Sequence, residues 1–141
     1  LGLKDTSGIG SQSLTSFGSF AEYIAMETDV AVANAEGNAM KYLINASARG
    51  ALKSTEKTST STANFVFENN QINGYDAIVS NQLANNDAIF GDFSQFIVGM
   101  WSGLDLTVDP FAGATAGTVR IIALQDIDYA VRQAGAFCFA T

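Results

Sequence analysis

IFGDFSQFIVGMWSGLDLTVDPF, Ile89–Phe111, is the stretch on which the fold turns. Within it SQFIVGMW (94–101) is apolar at successive positions, the pattern of a strand buried on both faces and central in its sheet. Ser102 and Gly103 supply a tight connection. Leu104, Leu106 and Val108 then alternate with Asp105, Thr107 and Asp109, which predicts one buried face and one wet face. Pro110 ends that strand, because it has no N–H to give to a ladder.

Downstream, AGATAG (112–117) reads as a flexible loop, and RIIAL, IDYAVR and AFCFA read as three further strands. Upstream, Asn85, Asn86 and Asp87 form a turn before IFGDF, and Gly74 precedes a strand YDAIVS. Phe65 and Phe67 alternate around Val66 as in a strand. STEKTSTSTA (54–63) lacks apolar anchors and is expected to be exposed and mobile. Asn45 can cap a short helix reaching about Ser54, after a strand in which Met40, Tyr42 and Ile44 alternate with Lys41 and Leu43. Ser19 with Glu22 is a capping-box start for a longer helix. On it Phe20, Tyr23, Ile24 and Ala31 share a face, with Met26 and Val30 beside it, and Gly37 is the expected stop. Residues 1–18, rich in Gly, Ser and Thr, have loop or arm chemistry. The class is α+β: a few helices early, an antiparallel-rich sheet late.

The 141 residues suit one domain with a sizeable core. Hydrophobic residues make up 48% and charged ones 15%, which argues against disorder. The formal net charge of −7 disfavours a nucleic-acid binder, since phosphate neutralisation needs a basic surface. There is no histidine, which removes Ser-His-Asp and Cys-His catalysis and histidine-bearing zinc sites. Cys138 is the sole cysteine, so no disulfide closes within the chain. The apolar runs are far short of a membrane span, so no membrane partner is expected. The first residue is Leu1 rather than Met, which suggests a piece of a longer protein.

Asp105 and Asp109 share a strand face, and Asp126 with Asp128 makes a D-x-D. Either pair has the chemistry for a hard cation or for acid/base work, but a solvated face is the commoner reading. Gly8-Ile9-Gly10 resembles half of a dinucleotide fingerprint, but Ser13 stands at the third glycine position. Cys138 between Phe137 and Phe139 reads as a small buried hydrophobe. Trp101, Phe96 and Met100 have the makings of a stacking surface, though core packing is commoner. Lys53 and Lys57 flank the Ser/Thr loop and suit an anion or a solvated helix end. No catalytic, cofactor-binding or metal residue is assigned, and the chain is read as a non-enzyme.

In Ile89–Phe111 the run Gly91-Asp92-Phe93, Gly103-Leu104-Asp105-Leu106, Asp109-Pro110 resembles the C-terminal half of tailed-bacteriophage major capsid proteins. TVRIIALQDIDYAVRQAGAFCFAT (118–141) is similar to that family's closing strands, with Arg120, a turn at Asp126 and the final Ala136-Phe137. INGYDAIVS is similar to the family's Ile-x-Gly-x-Pro-Val-x-x-Ser, with Asp76 in place of the proline. AMKYLINASARGAL resembles its strand-then-helix segment; Asn45 and Leu52 match, and the usual Trp and Pro are absent. The resemblance covers residues 38–141 well and 1–37 loosely.

It implies the Hong Kong 97-like capsid fold, with an axial domain and part of the peripheral domain. On that basis 1–18 is a loop or arm segment just after the spine helix, 19–101 the approximate axial region, and 102–141 the approximate returning peripheral strands. The chain is then a C-terminal fragment, without the N-terminal arm, the extended loop and most or all of the spine helix. The implied function is a structural virion protein. It self-assembles through pentamers and hexamers into an icosahedral shell around double-stranded DNA, without sequence-specific nucleic-acid binding. Portal, scaffold or decoration proteins are the implied further partners. The implied locations are the virion capsid and, during assembly, the host cytoplasm. Some members cross-link a Lys to an Asn after the Gly-Leu strand; residues 104–118 contain no Asn, so that chemistry is not carried over. One alternative is an encapsulin-like nanocompartment shell. Another is a small α+β ligand-binding or metal-dependent domain using Asp105 and Asp109.

Overall fold

The Ser19–Glu22 signal places the longest helix, which packs on one sheet of the chain. The computed structural model describes residues 2–58 and 64–141; the end of the polar segment, 59–63, lies outside the described residues. The chain divides into two compact units, Leu1–Gln95 with Val131–Thr141, and Phe96–Ala130.

In the larger unit, β1 (Gly10–Gln12), β2 (Met40–Ile44), β3 (Phe67–Glu68), β4 (Gln71–Ile72), β5 (Tyr75–Val79), β6 (Ala88–Asp92) and β11 (Phe137–Ala140) form one sheet. The order is β1-β11-β6-β2-β5-β4-β3. The β1–β11 and β2–β5 pairs are parallel and the other pairs antiparallel. Helix α1 (Phe20–Val32) lies against β1, β11 and β6, and α2 (Ala46–Leu52) follows β2 directly.

Local chemistry explains the starts. The Ser19 N–H donates to Glu22 Oε2 at 2.6 Å, and Thr15 donates to Oε1 through N–H (3.0 Å) and hydroxyl (2.7 Å). Asn45 Oδ1 accepts from Ser47 N–H at 2.8 Å and opens α2 as its cap. The stop of α1 differs from expectation. The helix ends at Val32, and Asn34, with φ +52°, takes the left-handed turn rather than Gly37. Its buried face is also rotated: Tyr23, Met26 and Val30 point inward, while Ile24 and Ala31 are exposed.

An aromatic cluster lies within a mostly aliphatic core. Tyr42 of β2 packs on Phe90 of β6 at 4.5 Å between ring centroids, on Tyr23 at 5.5 Å, and Tyr75 meets Phe90 at 5.2 Å. Burying such a side chain stabilises by about 1.5–3 kcal/mol each. The strand buried at every position is β6, AIFGD, which lies between β11 and β2. The expectation that 94–101 would be the central strand is therefore corrected. Phe93–Gln95 is a single 3-10 turn, and β7 (Phe96–Met100) belongs to the second unit. Phe65 and Phe67 do not alternate around Val66 either, because Val66 and Phe67 are both buried. Residues 1–18 are not all loop: β1 pairs in register with Cys138, Phe139 and Ala140. These three register pairs were invisible to local pattern because each partner is over a hundred residues away.

The division expected at residues 101 and 102 does not coincide with the units. Residues 131–141 pack with the larger one, where β11 sits beside β6.

Candidate assembly surface

The smaller unit is a hairpin arm. Chain order runs β7, β8 (Asp105–Asp109), β9 (Arg120–Leu124) and β10 (Ile127–Val131); β7 pairs with β10 and β8 with β9. The β8–β9 register is antiparallel, Asp105 opposite Leu124 and Asp109 opposite Arg120. Trp101 N–H donates to the Asp126 carbonyl at 3.2 Å. Between these two pairings the ladder is interrupted, with residues 102–104 on one side and only Gln125 on the other lying outside it. Asp126 N–H donates to Ser102 Oγ at 3.1 Å within it.

Directly opposed residues of an antiparallel pair share a face. Leu106, Val108, Ile121 and Ala123 therefore make one wholly apolar face of the outer ribbon. Sequence alternation predicted that this face would be buried. Instead Leu106 is 57% exposed and Ile121 68%. Trp101 is 73% exposed and Phe111, beside the hairpin tip, 85%, so the core role expected for Trp101 and Met100 does not hold. Only Phe96 of that trio packs, stacking on Tyr129 at 5.4 Å. A two-stranded ribbon is marginal by itself in water. An arm with this much exposed apolar surface has the composition of an interaction site.

The tip is built by Asp109 and Pro110. Asp109 Oδ1 accepts from Phe111 N–H (2.9 Å) and Ala112 N–H (3.2 Å), which turns the chain after the strand. Residues 114–116 of the AGATAG loop form a 3-10 turn. The carboxylate pairs are thus placed. Asp105 and Asp109 do share a ribbon face, but Asp109 is committed to its turn. Asp128 accepts from the Tyr129 N–H at 2.8 Å. Among the described residues no three His, Cys, Asp or Glu gather as a metal would need, and no helix there is long and apolar enough to cross a membrane.

The other candidate residues lie in the larger unit. Cys138 is fully buried in β11, and its Sγ donates to Asp29 Oδ2 at 3.6 Å; burial first, then the Asp29 charge, pushes its pKa up to about 12. Lys53 Nζ lies 5.8 Å from the Phe67 ring centre and Lys57 Nζ 5.5 Å from that of Phe20, so both cover aromatic faces. Gly8 precedes β1 and Gly10 begins it, packed against Cys138 of β11. A feature the sequence reading missed is the carboxylate of Glu27. It accepts from the Tyr42 hydroxyl at 2.6 Å and from Asn73 Nδ2 at 2.8 Å, joining α1, β2 and the β4–β5 turn. No local signal links positions so far apart.

A model of the phage capsid family matches residues 8–141. A major capsid protein of Halomonas phage phiHAP-1 is 34% identical over 140 residues, which are 99% of this chain and 23% of that protein. Among solved structures, the virus-like particle from Pyrococcus furiosus superposes with a TM-score of 0.71 at 15% identity, over 99% of this chain and 57% of that one. Mycobacterium phage Ogopogo gives a TM-score of 0.68 at 18% identity, over 99% and 55%. These likenesses carry the fold, which is of the Hong Kong 97 type. The family match runs through the sheet of the larger unit and the whole hairpin arm, and by it the chain belongs to the phage capsid family.

Proposed function

We propose that the chain is part of a shell-forming, structural virion protein that self-associates through pentamers and hexamers into an icosahedral capsid around double-stranded DNA. The observation that carries this reading is the hairpin arm, whose apolar face (Leu106, Val108, Ile121) has no cover from within its own unit. Closed assemblies use many weak, geometrically matched contacts of this kind. The net charge of −7 supports a wall that confines DNA without gripping it, because tight phosphate contacts would oppose packaging and release. The larger unit is read as the axial domain and residues 96–130 as peripheral strands. Portal, scaffold or decoration proteins are the further partners, catalysis has no part, and the protein resides in the virion after assembly in the host cytoplasm.

The chain spans 23% of the phage relative it matches, so the test uses the full-length gene product. Negative-stain electron microscopy with light scattering is expected to find capsomer rings or closed shells. A monodisperse monomer or dimer under several salt conditions overturns the reading. The likeness to the Pyrococcus furiosus virus-like particle supports a second reading, a nanocompartment shell. Shells holding protein cargo instead of DNA would favour it.

A further inference from the structure

Asn73 and Gly74 are the two central residues of the β4–β5 hairpin, flanked by the pair Ile72 and Tyr75. Their φ values are +49° and +87°, the two-residue turn whose twist matches antiparallel strands. Both residues are exposed, and the space beside Gly74 is open. Glycine leaves its own amide nitrogen unshielded, so an asparagine before it is prone to ring closure. Gly74 N attacks Asn73 Cγ. The new N–Cγ bond forms, the Cγ–Nδ2 bond breaks, and Nδ2 leaves as ammonia. Water then opens the cyclic imide at either carbonyl, giving aspartate or isoaspartate. One water is consumed, one ammonia is released, and nothing is oxidised or reduced.

Two features of the fold oppose this step. Ring closure requires Asn73 to leave its left-handed turn conformation. It also requires the carboxamide to leave Glu27, whose Oε2 accepts from Asn73 Nδ2 at 2.8 Å. We propose that Asn73 is a latent deamidation site that Glu27 holds closed, and that its conversion releases the β4–β5 hairpin from α1. The product carboxylate has no proton to donate and faces the Glu27 carboxylate, a like charge in place of a hydrogen bond. Isoaspartate also adds a backbone methylene to a turn of two residues, which has no slack for it. Glu27 Oε1 keeps its bond to the Tyr42 hydroxyl, so the damage begins at the turn rather than in the aromatic cluster.

The test ages the full-length protein at mildly alkaline pH and maps each asparagine by peptide mass spectrometry. In Glu27→Ala, Asn73 is expected to convert faster than the exposed Asn69 and Asn70, which lack a following glycine. Glu27→Ala is expected to raise the Asn73 rate about tenfold, the loss of one charge-assisted hydrogen bond. Glu27→Gln, which keeps an acceptor, is expected to stay near the wild-type rate. Conversion of Asn73 no faster than Asn69 in Glu27→Ala overturns the site. Equal acceleration of every asparagine in Glu27→Ala means general unfolding and overturns the latch. A direct measurement does not depend on that variant: Asn73→Asp should melt below the wild type, and an unchanged melting temperature overturns the released hairpin.

Discussion

Gly37 stands against the carboxylate of Asp92, so closely that a methyl group at position 37 would overlap Asp92 Oδ2. The carboxylate cannot step aside freely, because Asp92 is buried and accepts from the Ser94 N–H at 2.9 Å. Gly37→Ala is therefore expected to destabilise by about 1–3 kcal/mol, an overpacking cost. Gly50 offers the opposite case. It lies inside α2 with nothing near its missing side chain, so Gly50→Ala should stabilise by about 0.5–1 kcal/mol. Chemical denaturation of both variants reads the two signs, and a Gly37→Ala protein as stable as the wild type refutes the close approach.

Acid should weaken the larger unit through two carboxylates. Partial burial pushes Glu22 up, but hydrogen bonds from Ser19 and Thr15 outweigh it and leave the group below its ordinary 4.5. Asp92 behaves alike: burial raises it, and bonds from Ser94, Gln95 and Ala39 bring it below its ordinary 3.8. A folded-state value below the unfolded one contributes stability that is complete above the unfolded value and lost as pH falls through the folded one. Unfolding free energy should thus decline as pH drops from neutral through 4.5 and below. In Glu22→Gln that decline should be shallower. An identical slope in the variant removes Glu22 from the explanation.

The Cys138 thiol should be inert in the native protein. It is fully buried, and its pKa is pushed up to about 12, so almost no thiolate exists at neutral pH. A disulfide reagent is expected to label it at the rate of unfolding, and denaturant should accelerate labelling in step. Immediate native labelling would place the sulfur at the surface.

Leu106 and Ile121 sit on the bare face of the arm. Leu106→Asp should leave the fold of the larger unit unaffected, within about 0.5 kcal/mol for an exposed site. Shell formation by the full-length protein should fail, since burying a leucine is worth about 1.5–3 kcal/mol and an aspartate in its place would be buried without a partner. Thr107→Asp, on the opposite face, is the control and should assemble. Assembly of Leu106→Asp at the wild-type yield would show that this face meets no neighbour. The 141-residue chain by itself should bind a hydrophobic dye above the level of a compact control protein.

What could be read from the residues is the short-range part. Ser19 with Glu22, Asn45 as a cap, the strand after Gly74, and Pro110 as a terminator all lie within four residues of the feature they set. The ordered set of weak motifs from Gly91 to Phe137 was likewise legible, because order along a chain is itself sequence. The Glu27 junction was not, since its partners stand fifteen and forty-six residues away and each residue looks ordinary in its own window.

By itself, then, the sequence determined the helices, most of the strands, the absence of histidine chemistry and the family pattern. Tertiary structure alone decided that β6 rather than 94–101 is the buried strand, that residues 10–12 pair with the chain's last strand, and that Leu106 and Trp101 face outward. The physical reason is that alternation records which face of a strand is apolar, but not what covers it. A strand whose partner comes from the same chain and one that awaits another molecule have the same period, and only the fold tells them apart.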